Sequence, residues 1–402
     1  MKISFCGAAS GVTGSCHLIS TDNYKVLLDC GQFQGGEDSD EMNREEFPFS
    51  PAEVDCVILT HAHIDHCGRL PLLVKRGFKG LIYCTDATAG LLDVMLKDAA
   101  HICEQDAERD NRKNKRAGKP DVLPLFDTND ALETLTHVEP CIYDTLIILN
   151  EQMKVVFNDA GHILGSAIVE LWVTEGERTS KIVFSGDIGM GGRPIINDPK
   201  KIKKADYLLM EATYGNRLHE PSSASVKRLL QIIYATTSAG GNVVIPSFAV
   251  GRTQELLYLI RQLKEQDMIR GHEHFPVYVD SPLAAEATRV FHENLTECFD
   301  DETKVLVEQG INPIGFDDLT LSVTTEDSTA INFNQTPKVI LAAAGMCNAG
   351  RIRHHLKHNL WRPESTVLFV GYQAEGTLGR RLYDGEKMVK LFGEEIQVKC
   401  EI

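Results

Sequence analysis

The sequence has no apolar run that approaches the roughly 20 residues of a membrane-spanning helix. Residues 1–7 read as a strand and a turn, so the apolar stretch of a signal peptide is missing as well. The 11 cysteines are scattered, with no CxxC pair, which argues against a disulfide framework and for a reducing compartment. We therefore expect a cytoplasmic protein that does not associate with membranes.

Positive charge is also scarce. The 402 residues include 41 Lys and Arg against 57 Asp and Glu, which gives a net charge of −16. This balance argues against non-specific binding of duplex nucleic acid by net charge, but leaves open a local basic patch or a metal centre. The largest basic cluster has six cations in residues 109–119. It is more typical of a solvated helix end, and a phosphate-binding rim is the alternative.

The composition and the apolar pattern indicate two folded domains. With 43% hydrophobic residues, the chain can bury a full core, and its length predicts two or three domains. Short strands are predicted in residues 1–60 and 153–187, with a helix at residues 87–107 between them. From about residue 215, helices alternate with apolar strands, which predicts βαβ units and a parallel sheet. We therefore expect two α/β domains of different style.

The strongest motif is HAHIDH, at residues 61–66, directly after the apolar segment 54–60. His61 and His63 are two residues apart, so on an extended backbone both imidazoles point to the same side. Asp65 and His66 follow at the predicted turn into a helix and can point to the same place. Three imidazoles and a carboxylate suit zinc or a similar borderline ion. The motif therefore predicts a metal site.

Two later residues are candidates to complete such a site. His162 lies in the turn DAGH and Asp187 in the turn SGD, and each turn follows an apolar strand. A lone His or Asp in a turn is usually only a turn residue. Their positions after strands, in the same half of the chain as HAHIDH, make both candidate ligands.

The order and spacing of these motifs resemble the metallo-β-lactamase superfamily, in which Asp29 of LLDCG also has a counterpart. Glu211 in EATYG looks like the acidic motif that opens the β-CASP insertion of one branch. Four later segments are similar to that branch: residues 245–255, 279–284, 345–356 and 370–380. Together the motifs cover nearly the whole chain, and the later ones make the resemblance specific to the β-CASP branch.

The resemblance implies a fold as well as a family. The expected fold is α/β, a four-layer αββα metallo-β-lactamase sandwich with an inserted α/β β-CASP domain. The sandwich would be formed by residues 1–213 and by residues 382–402, which would return to it. Residues 214–381 would form the insertion.

The resemblance also implies how the ligands divide between two zinc ions. His61, His63 and His162 would hold one ion. Asp65 and His66 would help to hold the second, and Asp187 would bridge the two. Asp29 would lie behind the ligands and fix the orientation of one of them.

The implied activity is that of an RNA-processing nuclease related to the nuclease subunit of the cleavage and polyadenylation machinery. A pair of ions can activate water and stabilise the charge that builds up on a phosphodiester. Asp65 would also orient the attacking water, and Glu211 would orient the general acid. The expected partner is single-stranded RNA, attacked endonucleolytically or also as an exonuclease, and relatives suggest a homodimer.

Four residues of the second half are candidates for RNA binding: Arg252, Ser281, Arg351 and His354. Arg and Ser side chains suit phosphate oxygens. Ser281 precedes Pro282 and fits a plain turn equally well, and Arg252 fits the start of a helix. Both interpretations remain open for these residues.

The sequence departs from the family pattern at its end. Full-length relatives follow a strand like residues 394–402 with two more His-containing motifs, which supply the general acid and complete the second metal site. Our hypothesis is that the chain is incomplete or truncated, with a weakened second metal site. The rival functions are a metallo-hydrolase of another ester and a non-catalytic RNA-binding relative.

Overall fold

The computed structural model describes residues 1–35, 38–216, 218, 222–265 and 275–402, with the backbone alone at residues 222–225, 295 and 296. The chain divides into two compact units. Unit 1 comprises Met1–Gly191 and Ile196–Gly215, and unit 2 comprises Gly192–Ile195 and Asn216–Ile402. Across the described part of the chain, the structure contains no helix with the length and apolarity that a membrane crossing demands.

Unit 1 contains a first sheet of six strands in the order β1-β2-β3-β4-β5-β6. The pairs β1-β2 and β2-β3 are antiparallel, and the strands from β3 to β6 are parallel. The strands are β1 Lys2–Phe5, β2 His17–Ser20, β3 Lys25–Leu28, β4 Cys56–Ile58, β5 Leu81–Thr85 and β6 Val138–Cys141. The helices are α1 Ser39–Arg44, α2 Ile64–Cys67, α3 Leu70–Lys75, α4 Asp86–Ala117 and α5 Thr128–Leu135, with a 3-10 turn at Pro51–Glu53.

A second sheet of unit 1 has the order β11-β10-β9-β8-β7 and is antiparallel except for the parallel pair β10-β11. Its strands are β7 Ile147–Ile148, β8 Met153–Asp159, β9 Ala167–Glu175, β10 Arg178–Phe184 and β11 Tyr207–Leu209. One core cluster joins the two sheets, because it contains Val26 and Ile58 of the first together with Val155, Leu171 and Ile182 of the second. The two sheets therefore form the sandwich that the sequence predicted.

Helices cover the other face of the first sheet. A second core cluster contains Leu27 and Val57 of the sheet together with Leu73 of α3 and Leu92 of α4. The longest of these helices, α4, begins where the Thr85 side chain accepts a hydrogen bond from the backbone of Thr88. Parallel strands that are covered on both faces are expected to be apolar throughout, as β4 is.

Unit 2 contains a parallel sheet of five strands in the order β14-β13-β15-β12-β16. Its strands are β12 Val243–Pro246, β13 Val277–Asp280, β14 Leu319–Ser322, β15 Val339–Ala342 and β16 Thr366–Val367. Its helices are α6 Ser222–Ser238, α7 Arg252–Glu265, α8 Pro282–Glu293, α9 Leu295–Cys298, α10 Asp301–Glu308, α11 Thr325–Phe333, α12 Ile352–Asn359 and α13 Leu378–Tyr383. The alternation of helices and apolar strands predicted this arrangement.

The last segment of the chain packs within unit 2. It forms a hairpin of β17 Met388–Leu391 and β18 Glu394–Gln397. Val389 and Ile396 of the hairpin are buried in one cluster with Leu356 of α12 and Leu382 of α13. The sequence analysis expected residues 382–402 to return to the first domain. The structure groups them with unit 2 instead, because the apolar face of the hairpin is buried there.

Candidate metal centre

The HAHIDH segment lies at the carboxyl end of β4, where the extended chain turns into α2. His63 has extended dihedral angles, φ −65° and ψ 144°, immediately before the helix begins at Ile64. The backbone amides of His66 and Cys67 both donate to the carbonyl of His63 and form the first turn. This change of backbone conformation brings His66 back towards His61, with their rings 4.0 Å apart. The local fold therefore brings the side chains of one short segment together, as the motif predicted.

Four donor atoms converge at this point, one each from His61, His63, His162 and Asp187, all within 4.8 Å of one another. Nδ1 of His63 is 3.1 Å from Nε2 of His61 and 3.2 Å from Nε2 of His162. Oδ2 of Asp187 is 3.4 Å from His162 Nε2 and 3.9 Å from His61 Nε2. Neighbouring ligands of a tetrahedral zinc ion are about 3.3 Å apart when each lies 2.0–2.1 Å from the ion. The three imidazoles and the carboxylate therefore fit such an ion.

A second group of side chains faces the other oxygen of Asp187. Oδ1 of Asp187 is 3.2 Å from Nε2 of His66, and Oδ2 of Asp65 is 3.9 Å from the same nitrogen. One carboxylate oxygen of Asp187 thus faces His61 and His162 while the other faces His66. This is the placement that a carboxylate shared between two ions would require.

Asp29 lies behind these ligands and is completely buried. Its Oδ2 accepts hydrogen bonds from Ser15 Oγ at 2.9 Å and from His66 Nδ1 at 2.8 Å. Its Oδ1 accepts from the amide of Thr60 at 2.8 Å. Because Nδ1 of His66 donates to Asp29, Nε2 faces Asp187 and Asp65. These bonds fix the orientation of the His66 ring, and the predicted role of Asp29 behind a metal ligand stays a prediction.

Two hydroxyl residues in this arrangement were missed by the sequence analysis. Thr60 donates its hydroxyl to Asp29 at 3.0 Å, and the same oxygen lies 3.0 Å from Nδ1 of His61. His61 can then donate to Thr60, which leaves its Nε2 lone pair towards the other ligands. Ser15 supplies the other hydroxyl. Ser and Thr are common at strand ends, so neither residue gave a recognisable signal.

Burial and neighbouring charges shift the pKa values of the groups in this centre. Burial lowers the pKa of the His61 imidazole well below its usual value, and the neighbouring His66 lowers it further. Burial alone would also lower the pKa of His66, but the carboxylates of Asp187 and Asp29 raise it well above its usual value. Burial opposes ionisation of Asp187, yet His66 holds the pKa of that carboxyl well below its usual range. The buried carboxylates therefore favour a cation at this place.

Around the candidate ligands, the backbones of neighbouring loops are in direct contact with one another. A Cβ added to Gly31 would lie 1.6 Å from the carbonyl oxygen of Asp65, and one added to Gly189 would lie 1.5 Å from that of Gly161. The amide of Gly189 donates to the carbonyl of Ala160 at 2.8 Å. The loops that carry the ligands are therefore fixed by backbone contacts that only glycine allows.

Glu211 lies next to the loop of Asp187. Its Oε1 accepts from the amide of Ile188 at 2.7 Å, and its own amide donates to Ser185 Oγ at 3.0 Å. These bonds hold the residues on both sides of Asp187. The predicted role of Glu211 beside a general acid stays a prediction.

Three of the four candidate RNA-binding residues lie near one another in unit 2. The amide of His354 donates to the carbonyl of Arg351 at 3.0 Å, and Arg351 pairs with Asp280, the residue before Ser281. Arg252 pairs with Glu255 at 2.8 Å on α7, and Ser281 Oγ accepts from the amide of Ala284 at the start of α8. His354 stacks on Phe392, with ring centroids 4.4 Å apart. Their predicted contact with RNA stays a prediction.

Arg351 belongs to a buried cluster that the sequence analysis missed. Its Nη1 donates to Asp280 Oδ1 at 2.7 Å, and its Nη2 donates to the Val323 carbonyl at 2.6 Å. Asp280 Oδ2 also accepts from His355 Nε2 at 2.7 Å and from Ser328 Oγ at 2.5 Å. These contacts hold the pKa of Asp280 at about 2, although burial alone would raise it. The guanidinium of Arg351 therefore has a structural function.

Comparisons with known proteins match both halves of the chain. The metallo-beta-lactamase superfamily matches residues 9–241, and the Beta-Casp domain matches residues 253–382. Ribonuclease TTHA0252 of Thermus thermophilus is 38% identical over 404 residues, which cover 100% of this chain and 86% of the ribonuclease. The RNase J-like protein of Methanocaldococcus jannaschii is 32% identical over 403 residues, which cover 100% of this chain and 84% of that protein.

A third relative is longer than this chain. The transcription termination factor FttA of Methanosarcina mazei is 31% identical over 401 residues, which cover 98% of this chain and 59% of FttA. The predicted family and fold class are confirmed by these matches. The chain belongs to the metallo-β-lactamase superfamily, in the branch that carries a β-CASP domain.

Proposed function

We propose that this protein is a metal-dependent ribonuclease that hydrolyses phosphodiester bonds of RNA. The observation that carries the proposal is the group of four donor atoms from His61, His63, His162 and Asp187. Two relatives that match the whole chain are named ribonuclease and RNase J-like protein. The matched β-CASP domain also favours a nuclease over a hydrolase of a small ester, because that insertion is expected to bind nucleic acid.

We infer that the bound ions are zinc and that there are two of them. Three imidazoles and one carboxylate at tetrahedral distances suit zinc better than a hard ion such as Mg²⁺. The second ion would be held by Asp65, His66 and the other oxygen of Asp187. Elemental analysis of the purified protein would test this inference, and the expected content is about two zinc ions per chain.

The side chains have separate tasks in this proposal. When bound, the metal pair would supply Lewis-acid activation of a water and stabilisation of phosphate charge. Asp29 holds His66 in one orientation and one tautomer, and Thr60 does the same for His61. Asp65 points towards the same space from the start of α2 and can accept a proton from the attacking water. The ordering of these groups before the substrate binds lowers the reorganisation that the reaction needs.

The test is a denaturing gel with a 5′-labelled single-stranded RNA, run with added zinc or manganese and with a chelator. We expect metal-dependent cleavage that His63→Ala abolishes. His101→Ala is the matched control, because His101 is exposed on α4, where its side chain bonds to Gln105. Turnover of a chromogenic phosphodiester without cleavage of any RNA would reject the ribonuclease in favour of a different ester hydrolase.

A cytoplasmic location is part of the same proposal. All 11 cysteines are free thiols, and nine of them are buried. Free thiols persist in a reducing compartment. Fractionation of cells with an antibody against the protein would test this location.

A further inference from the structure

The far end of α4 projects from unit 1 as an exposed basic face. The last fully buried residue of this 32-residue helix is Ala107, so residues 108–117 extend about 15 Å beyond it. Arg112, Lys115 and Arg116 follow a spacing of three and four residues and share one side of the helix. Lys119 comes just after the end of the helix. We call these four exposed cations the basic face.

The basic face differs from the other cations of the helix in its pairing. Arg109 lies 2.8 Å from Asp106, and Lys113 lies 3.1 Å from Asp110. None of the four residues of the basic face forms an ion pair with any residue in the described part of the chain. The chain as a whole has a net charge of −16. Glu108 and Asp121 lie beside Arg112 and Lys115, and the four cations outnumber these two acids. The basic face therefore keeps an excess of positive charge that is complementary to a polyanion.

The chain that follows the helix holds this end in place. Gly118 ends the helix in the left-handed conformation, at φ 65°. The side chain of Asn111 accepts from the amide of Val122 at 2.7 Å and donates to its carbonyl at 3.0 Å. Asn114 donates to the carbonyl of Pro120 at 3.0 Å. The cations are thus carried on a fixed support, which reduces the entropy that binding would cost.

The other end of α4 is attached to the metal centre. The hydroxyls of Thr85 and Thr88 both donate to the carbonyl of Gly165, at 2.6 and 2.8 Å. Gly165 lies in the turn that begins with the ligand His162. At 1.5 Å per residue, Arg112 to Arg116 lie about 36–42 Å along the helix from Thr88. One rigid element therefore separates the metal ligands from the basic face.

We infer that the basic face binds the phosphate backbone of RNA, at a distance from the bond that is cut. This inference rests on the proposed ribonuclease function. At a stacked spacing of about 3.4 Å per nucleotide, 40 Å corresponds to about 12 nucleotides. Only RNA of about that length or longer reaches from the metal centre to the basic face. The basic face then strengthens binding of long RNA and has no effect on short RNA.

The test compares two variants of the full chain. The first is Arg112→Gln/Lys115→Gln/Arg116→Gln/Lys119→Gln. The matched control is Lys97→Gln/Arg109→Gln/Lys113→Gln, which neutralises cations of the same helix that are ion-paired. Binding of a fluorescent 30-nucleotide single-stranded RNA is measured in chelator at several salt concentrations. Cleavage of the 30-nucleotide RNA and of a four-nucleotide RNA is measured with metal. Thermal unfolding shows whether both variants are folded.

We expect the first variant to bind the 30-nucleotide RNA more weakly than the native chain does, by about tenfold or more, which is about one log unit in affinity. The plot of log affinity against log salt concentration should have a slope smaller by about 3, because each lost phosphate contact accounts for about 0.7. The control variant should bind the 30-nucleotide RNA as tightly as the native chain does. The first variant should cleave the four-nucleotide RNA at the native rate. Equal affinities and salt slopes for the first variant and the native chain would overturn the inference. Binding is measured in chelator, so weaker binding by the first variant supports the basic face whether or not RNA is cleaved. Absence of cleavage by the native chain would reject only the proposed function.

Discussion

The two units each place an aspartate beside a histidine after a strand, but only unit 2 adds a permanently charged side chain, the guanidinium of Arg351. Asp280 in unit 2 contacts Arg351 and His355, and its side chain has no exposed surface. Asp187 in unit 1 contacts His66 and His162, and 28% of its side chain is exposed. We call the cluster of Asp280 the closed cluster, because its carboxylate is already paired with Arg351. We call the cluster of Asp187 the open cluster, because its donor atoms surround a common point. Polar residues at strand ends can therefore stabilise a fold or form a reactive site, depending on whether a side chain of the protein or a bound ion balances their charge.

The same substitution in both clusters would sharpen this comparison most. We expect Asp187→Asn to lower RNA cleavage at least about 1,000-fold, or about 4 kcal/mol, because it removes a shared ligand. The metal-free protein should lose less stability than Asp280→Asn does, because His66 can release its proton when the carboxylate is neutralised. Single-turnover cleavage and urea unfolding measure the two effects. Cleavage within tenfold of the native rate would show that Asp187 holds no ion.

Asp280→Asn should have the opposite pattern. We expect a loss of about 3 kcal/mol in the free energy of unfolding, because Arg351 cannot release its charge and is left without its carboxylate. Cleavage per folded molecule should stay near the native rate. Urea unfolding followed by circular dichroism measures the loss. A stable variant with no activity would instead place Asp280 in the reaction.

Added metal should stabilise only the open cluster. Zinc at about 100 times its dissociation constant raises the free energy of unfolding by about 2.7 kcal/mol if it binds only the folded state. We expect this rise in the native chain and in Asp280→Asn, and its absence in His63→Ala. Thermal unfolding with and without zinc provides the measurement. An equal rise in His63→Ala would place the ion elsewhere.

Acid should weaken the closed cluster. The pKa of Asp280 is about 2 in the folded chain and 3.8 in its ordinary state. Its contribution of about 2 kcal/mol is therefore fully present above pH 4 and is lost as the pH falls through 2. Between pH 4 and 2, the plot of the free energy of urea unfolding against pH should have a smaller slope in Asp280→Asn than in the native chain. Identical slopes would contradict the low pKa.

The smallest expected effect concerns Ser281, the neighbour of Asp280. Ser281→Ala removes the hydrogen bond to the amide of Ala284 at the start of α8 and should cost about 1 kcal/mol of stability. A loss of RNA affinity without a loss of stability would favour the RNA-binding interpretation. Urea unfolding and the binding of labelled RNA distinguish the two.

The convergence of side chains in the open cluster could be predicted from the sequence because most of its candidate ligands are concentrated in one segment. Four of them lie in residues 61–66, and polar residues there interrupt an apolar strand. His162 and Asp187 follow the same pattern of a strand and a turn. The two-sheet sandwich and the parallel sheet of unit 2 also follow from local apolar patterns.

The closed cluster could not be predicted in this way. Arg351 and His355 are 71 and 75 residues from Asp280 along the chain, and no local pattern connects them. The hydroxyls of Ser15 and Thr60 are equally ordinary in sequence. The placement of residues 382–402 depends on which apolar surface the hairpin covers, and no local pattern connects it to Leu356 of α12. These features follow from tertiary packing and not from periodicity.

The close backbone contacts at Gly31 and Gly189 have a consequence for redesign of the metal centre. Peptide groups in direct contact fix the loops that carry the candidate ligands, and the side chains of Asp29 and Thr60 then orient His66 and His61. Exchanging a ligand, for instance His162→Cys, should therefore leave the loop geometry intact and change the preferred metal. An alanine at either glycine, by contrast, would displace two ligand loops at once. A library intended to alter metal preference should vary the histidines and keep the glycines constant.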